Sequence, residues 1–301
     1  MSKARHPLDE PAYPEVAARF SDLWRSIRHD GTRERSDQEQ KDLIDQIRNA
    51  LDRKTPDVSG EKPVWIADSF AVNCKAYQSE TTLLLQLRHR DLGSLHALKT
   101  VPPGSRDDAV LLQRLRDEAE IGLALRHPCL AETSAFLRLP DGRPGLLQPW
   151  FAHSLALIVS TQPITASQAS VILRRVLEGL SVMHAFGYVH CDVTPANILL
   201  AEGSFETARL GDFGIALRIG HKHAEQGLHF AASPEFASPE QRQGAPAKPD
   251  HDVYAVGRLA RRLIATDEAQ LPQRLADFAQ ACCHDDPALR PQTATEALQL
   301  L

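Results

Sequence analysis

Two periodicities divide the chain. In the first sixty residues apolar positions recur at helical spacing. Val16, Phe20, Leu23, Trp24 and Ile27 make one stripe, and Leu43, Ile44, Ile47 and Leu51 a second. Ser36 followed by Glu39 is a capping box that opens the second helix, and a charged connection around Asp30-Gly31 separates the two. Two amphipathic helices cannot bury both stripes by themselves. Residues 1–60 therefore read as a helical extension that packs on a neighbouring domain or, less plainly, docks a regulatory partner.

From Trp65 the period shortens to two. Residues 71–77, 81–88 and 95–101 alternate or run apolar between polar breaks, and Asp91-Leu92-Gly93 is a hairpin turn. A long helical pattern over 106–126 ends at His127-Pro128. Two more strands, 135–139 and 145–148, flank the turn Pro140-Asp141-Gly142-Arg143. After Pro149-Trp150-Phe151 the chain reads mainly helical. Its strongest helix spans 166–186, with Val171, Ile172, Val176, Leu177, Leu180 and Met183 on one face. Strands gathered ahead of helices give an α+β chain.

Composition removes several classes of function. Hydrophobic content of 43% and charged content of 24% over 301 residues suit a globular protein with a sizeable core. A formal net charge of -5 and scattered basic residues give no reason to expect nucleic acid as a partner. Five cysteines without CxxC spacing argue against a disulfide framework or a zinc site. The N-terminus has no apolar signal core, and no run reaches the ~20 apolar residues of a membrane span. The expectation is a cytoplasmic protein; a specialised secretion route would leave no readable trace.

The candidate chemistry lies in His190-Cys191-Asp192-Val193-Thr194-Pro195-Ala196-Asn197, the apolar run Ile198-Leu199-Leu200, and Asp212-Phe213-Gly214. An Asp, an Asn five residues on and a second Asp before Phe-Gly is the spacing of a phosphoryl-transfer site. This stretch resembles the catalytic loop and metal-binding turn of the protein kinase family. Further matches follow in the family's order: His96-Ala97-Leu98-Lys99, Glu118 nine residues before His127-Pro128, Ser233-Pro234-Glu235 through Ser238-Pro239-Glu240, Asp252 to Gly257, and Asp286-Pro287 with Arg290-Pro291. The resemblance runs from Lys99 to Pro291. It implies a bilobal fold, with a small antiparallel β-rich lobe and one long helix over 63–149 and a shortened, mainly helical lobe over 150–301.

The same resemblance implies ATP and Mg²⁺ as cofactors and assigns roles. Asp192 would orient the attacking hydroxyl, Asn197 and Asp212 would hold the metal, and Lys99 would neutralise the nucleotide phosphates. Glu118, with Glu120 as competitor, would pair with Lys99. Ala97 would border the nucleotide, with the Pro149 carbonyl and the Phe151 N–H facing adenine. Arg290 would pair with Glu240, Asp252 would steady the catalytic loop, and His190 would pack on Phe213. Pro195 and Ser233 suit Ser/Thr specificity on protein substrates.

The departures from the pattern are specific. Tyr77, Ser79 and Thr82 stand where the family has the glycines of its phosphate loop; the hydroxyls of Ser79 and Thr82 would have to serve instead. Thr194 replaces a Lys that touches the transferred phosphate, and Cys191 replaces an Arg that receives an activation-loop phosphate. Residues 215–232 contain no Ser, Thr or Tyr, so activity independent of phosphorylation there is expected. Gly122 replaces a bulky residue against Phe213 and leaves its space unfilled. His221, His223 and His229 read as a solvated loop rather than a metal site. The alternative is a pseudokinase, a nucleotide- or protein-binding regulatory scaffold. A small-molecule kinase is disfavoured by Ser238-Pro239-Glu240 and Asp286…Arg290. The wording Val193-Thr194-Pro195-Ala196-Asn197 looks bacterial.

Overall fold

The first apolar stripe folds as a helix, α1 (Tyr13–Arg28), with Arg25 and Arg28 in its last turn, where they oppose the negative end of the helix dipole. The computed structural model describes residues 13–31, 33–41, 43–44, 64–201, 203–227, 232–264 and 273–301. The chain divides into two units, Met1–Pro63 and Val64–Leu301. Ile27 is buried, whereas Phe20, Leu23 and Trp24 remain exposed. Where the sequence indicated only a connection, a short antiparallel hairpin pairs β1 (His29–Asp30) with β2 (Arg33–Glu34), turning at Gly31 with φ +62°. Its strands are polar on both faces, so no alternation announced them. The Ser36 N–H donates to Glu39 Oε2 at 2.8 Å and the Glu39 N–H to Ser36 Oγ at 3.4 Å, the capping box read from the sequence. Residues 37–41 and 43–44 are helical. Ile47, Leu51 and the Val16 side chain lie outside the described residues.

The second unit begins with one antiparallel sheet. Its strands are β3 (Trp65–Ile66), β4 (Phe70–Gln78), β5 (Leu83–His89), β6 (Leu95–Thr100), β7 (Ala135–Arg138) and β8 (Pro144–Pro149), in the order β3-β4-β5-β6-β8-β7. Ile66, Leu87, Leu98, Leu139 and Leu147 form the core on one face. The long helix, α2 (Ala109–Ala124), starts three residues later than its sequence pattern, after a 3₁₀ turn at Pro103–Ser105. Asp108 caps it, accepting from Val110 N at 3.0 Å and Leu111 N at 3.1 Å. Leu115 and Ala119 pack on Leu146 and Phe136, which fixes α2 against the sheet.

The gap expected at Gly122 is absent. A Cβ there would lie 2.0 Å from Thr133 Oγ1 and 3.7 Å from Phe213 Cδ2. Thr133, fully buried, occupies the volume, and its hydroxyl has no hydrogen-bond partner. The glycine lets α2 approach Thr133, and the cost moves to a desolvated hydroxyl. Thr133→Val keeps the shape without that hydroxyl and is expected to raise the unfolding free energy by about 1 kcal/mol in a urea titration. A loss of stability would show that the hydroxyl is satisfied after all.

The rest is mainly helical: β9 (His153–Ser154), α3 (Leu155–Thr161), α4 (Ala166–Ala185), β10 (Tyr188–Val189), β11 (Ile198–Leu200), β12 (Arg209–Leu210), β13 (Leu217–Arg218), α5 (Pro239–Arg242), α6 (Pro249–Ile264), α7 (Gln273–Cys282) and α8 (Ala294–Leu300). A Thr165–Gln168 capping box starts α4. Its apolar face, from Ile172 through Met183, is the centre of the largest core. Gly257 lets α6 touch the end of α7, since a Cβ there would sit 2.7 Å from Cys282 Cβ. All five cysteines are free. Among the described residues no helix is long and apolar enough to cross a membrane.

Candidate active site

Strand β6, helix α2 and the turn after β12 converge on one ion triad. Lys99 Nζ lies 2.8 Å from Glu118 Oε2 and 2.7 Å from Asp212 Oδ1. Glu120 is exposed and lines a different cavity, with Asp117, Arg218 and Lys222. One cation serves two carboxylates. Burial works to lower the Lys99 pKa, but Asp212 and Glu118 outweigh it and the ammonium is held well above its ordinary range. Burial raises the Glu118 carboxyl, and Lys99 only partly offsets this. Burial also opposes ionisation of Asp212, yet Lys99 and the Gly214 N–H hold its carboxyl below the usual range. Gly214 runs close to both carboxylates: a Cβ there would fall 3.1 Å from Asp212 Oδ1 and from Glu118 Oε2.

The catalytic loop is fixed from behind by Asp252 at the start of α6. Its carboxylate accepts from His190 N at 2.8 Å, Cys191 N at 2.9 Å and His184 Nε2 at 2.9 Å. Burial raises the Asp252 carboxyl, but the His184 bond and the neighbouring donors bring it below the usual range. Cys191 takes φ +67°, a left-handed conformation that a non-glycine residue holds only under restraint. Besides its bonded N–H, its carbonyl accepts from Gln241 Nε2 at 2.7 Å. His190 donates from Nε2 to Gly211 O at 3.0 Å, accepts the Asp192 N–H at Nδ1 and meets Phe213 edge-on at 5.8 Å. It thereby ties the loop to the turn in which Asp212 adopts φ +61°. Asp192 is half-buried, with Oδ1 accepting from Ser233 N at 3.0 Å and Oδ2 from Asn197 Nδ2 at 2.9 Å. Thr194 is buried in the same loop.

A cavity of about 340 Å³ opens in front of the triad. That is a volume in the small-ligand range of roughly 300–1,000 Å³. Lys99, Glu118, Asn197 and Asp212 line its charged side, Leu84, Ala196 and Leu199 an apolar side, and Tyr77, Ser79, Thr81 and Thr82 its mouth. Ala97, Pro149 and Phe151 are not among its lining residues in the described structure. Ala97 and Pro149 pair with Gln148 and His96 in the β6–β8 ladder, and the Phe151 ring lies under Arg209 at 5.8 Å. The mouth differs from an open glycine turn. Ser79 Oγ accepts the Thr81 N–H at 3.3 Å and the Thr82 N–H at 3.1 Å, while Ser79 N donates to Thr82 O at 2.8 Å. The turn spends on itself two amide donors that a phosphate would otherwise meet.

The cavity wall offers oxygen donors for a hard cation. Asn197 spends its Nδ2 on Asp192 O and Oδ2, which leaves its Oδ1. Asp212 spends Oδ1 on Lys99 and the Gly214 N–H, which leaves Oδ2. Two oxygens on one cavity wall fit Mg²⁺.

The segment after Gly214 is anchored through its backbone and by packing. Arg114 Nε donates to Gly214 O at 3.2 Å and His223 Nε2 to Ile215 O at 3.0 Å. Val189, Cys191, Ile215, Leu217, Ala232, Ala237 and Ala247 then form a separate apolar cluster. Burial pushes the Cys191 thiol well above its ordinary pKa, so it is an inert packing group. His221 pairs with Glu225 at 2.9 Å. No cluster of three or more metal-ligating side chains occurs among the described residues, which do not include His229. Farther out, Arg290 grips Glu240 through two bonds of 3.0 and 3.1 Å. Sequence reasoning passed over Gln241, which holds the Cys191 carbonyl, and Gln148, which lines the cavity. Only Gln148, a polar residue closing the apolar run from Gly145, carried a signal.

Comparison with known proteins covers the same region. A family model described as "Protein kinase domain" matches residues 80–269. The serine/threonine-protein kinase pkn2 of Myxococcus xanthus is 28% identical over 178 residues, 58% of this chain and 21% of that protein. Serine/threonine-protein kinase PknK of Mycobacterium tuberculosis is 32% identical over 184 residues, 59% of this chain and 16% of its own length. The probable serine/threonine-protein kinase PknB of Lactococcus lactis is 26% identical over 191 residues, 62% and 29% of the two chains. The chain thus spans less than a third of each of these relatives.

Proposed function

The chain belongs to the protein kinase family, and from that premise we propose that it transfers the terminal phosphoryl group of ATP to Ser or Thr hydroxyls of protein substrates. The observation that carries this reading is the convergence of Lys99, Asn197 and Asp212 on one cavity, with Asp192 hydrogen-bonded to Asn197 beside it. Lys99, kept charged by two carboxylates, neutralises nucleotide phosphates. Asn197 Oδ1 and Asp212 Oδ2 would hold Mg²⁺, which when bound spreads phosphate charge. Asp192, locked by Ser233 N and Asn197 Nδ2, retains lone pairs to orient the substrate hydroxyl and take its proton. Thr194 offers no charge there, so the triad and metal ligands carry the electrostatic work.

The apolar cluster supports control without activation-loop phosphorylation. Cys191 and Leu217 are packed against Ile215 and Ala232, and hydrophobic burial holds the segment where a phosphate and its receivers would otherwise be needed. Phosphatase-treated protein is expected to match untreated protein in transfer rate. A large fall after treatment would overturn this part of the reading.

The Ser79 turn favours a second reading, a nucleotide-binding scaffold with little transfer, because its captured amides weaken the phosphate cradle. One assay separates the two: Mg²⁺ and labelled ATP with the wild type and Asp212→Asn. Label transfer lost in the variant supports the enzyme; nucleotide bound without transfer in the wild type supports the scaffold. For the enzyme, Ser79→Ala frees both N–H groups and is expected to lower the KM for ATP about three- to tenfold. An unchanged or higher KM would mean that the hydroxyl itself serves the phosphates.

A further inference from the structure

Helix α2 meets the turn Asp212-Phe213-Gly214 along one stripe. Arg114, Glu118 and Gly122 are spaced four apart and therefore share a helix face. A Cβ at Gly122 would lie 3.7 Å from Phe213 Cδ2, and one at Gly214 would lie 3.1 Å from Glu118 Oε2. Arg114, half-buried, donates from Nε to Gly214 O at 3.2 Å. The next carbonyl along the chain, Ile215 O, accepts from Nε2 of the half-buried His223 at 3.0 Å. Side chains from two different elements thus hold two consecutive peptide planes. Those planes follow directly on the turn in which Asp212 stands at φ +61°. A non-glycine residue keeps that conformation only where its surroundings over-determine it. The Gly214 N–H supplies one restraint, bonding Asp212 Oδ1 at 3.2 Å, and Arg114 fixes Gly214 on its other side. The chemistry proposed above uses neither Arg114 nor His223.

We propose that Arg114 and His223 are positioning residues, whose hydrogen bonds to Gly214 O and Ile215 O hold the turn in the conformation that leaves Asp212 Oδ2 for a cation. The inference rests on the reading of the cavity as a site for ATP and Mg²⁺. Because its partner is a carbonyl, Nε2 of His223 carries the hydrogen. Burial lowers the pKa of this ring, so at neutral pH it donates as an uncharged group. Arg114 also lies near enough to Glu118 to favour its ionised form, so at that position charge and hydrogen bond have to be separated.

Glutamine separates them. Its Nε2 follows Cδ as the Nε of arginine does, and it donates without charge; methionine has similar length and no donor. Equilibrium binding of ATP to the full chain is measured with Mg²⁺ and with EDTA. The ratio of the two affinities reads how well Asp212 is placed for the cation. Arg114→Met is expected to lower this ratio about three- to tenfold with the affinity in EDTA unchanged, because Lys99 and Glu118 are retained. Arg114→Gln is expected to keep the wild-type ratio. His223→Leu and His223→Gln repeat the comparison at the second carbonyl and carry the test if Arg114→Met does not fold. Wild-type ratios in both Arg114→Met and His223→Leu overturn the proposal. So does an Arg114→Gln that falls as far as Arg114→Met, which assigns the effect to charge. A loss of affinity in EDTA equal to the loss in Mg²⁺ also overturns it, since a merely structural role moves both. If the wild type binds ATP no better with Mg²⁺ than in EDTA, the reading of the cavity falls and the proposal with it; if wild type and variants gain equally from Mg²⁺, only the proposal falls.

Discussion

Asp192→Ala is expected to lower the rate of phosphoryl transfer at least about a hundredfold while leaving the KM for ATP within about twofold of wild type. The split follows from position. Asp192 is not among the residues lining the cavity in front of Lys99, but it is bonded to Asn197, which is. Removing its carboxylate takes away the acceptor for the hydroxyl proton and the partner of Ser233 N. Asn197 keeps one anchor, because its Nδ2 also donates to Asp192 O at 2.9 Å, a backbone atom that alanine retains. The remaining oxygen of Asn197 therefore stays where a cation would use it. Steady-state kinetics on a generic protein substrate checks the outcome. A matched rise in KM for ATP would show that Asp192 supports the nucleotide rather than the acceptor, and transfer at the wild-type rate would remove it from the chemistry.

The architecture was legible because local signals agreed with one another. Alternation gave five strands of the sheet to within a few residues, and the capping boxes at Ser36 and Thr165 marked helix starts. The order of short motifs from Lys99 to Pro291 identified the family, since each motif is a turn or strand end whose spacing is set by the elements on either side. The same logic named Lys99, Glu118, Asn197 and Asp212, which the structure gathers on one cavity wall. What could not be read depends on which distant side chain enters a given space. Nothing in the sequence says that Thr133 fills the volume at Gly122. Nor does it say that Cys191 and Leu217 share an apolar cluster with Ala247, or that the Ser79 hydroxyl turns back on its own loop. Ala97, Pro149 and Phe151 came from motif position alone, and none of the three lines the cavity. The hairpin of residues 29–34 was invisible for a simpler reason: with no buried face it has no hydrophobic period.

Asp252→Ala should cost about 3 kcal/mol or more of stability, a larger loss than any other single change argued from this site. The side chain is 1% exposed and accepts three hydrogen bonds. Alanine leaves two backbone N–H groups and the His184 ring nitrogen without their acceptor, in a region closed to water. Asp252→Asn keeps one oxygen and is expected to lose less. The pH dependence provides an independent check. The folded-state pKa of Asp252 is depressed, so its contribution is complete above the ordinary unfolded value of about 4. It disappears as pH falls through the lower folded value, because the unfolded chain binds the proton first. The gap between wild type and Asp252→Ala in urea titrations should therefore be constant from neutral pH down to about 5 and narrow below 4. A gap that widens toward acid would mean that the carboxyl is raised, not depressed, in the folded protein. Transfer should fall further than stability alone requires. Asp252 also holds the N–H of Cys191 at φ +67°, and without it the backbone of that residue keeps the Gln241 bond to its carbonyl. Once it relaxes toward an ordinary conformation, the peptide leading into Asp192 turns with it, and the acceptor carboxylate leaves the position that Ser233 and Asn197 define.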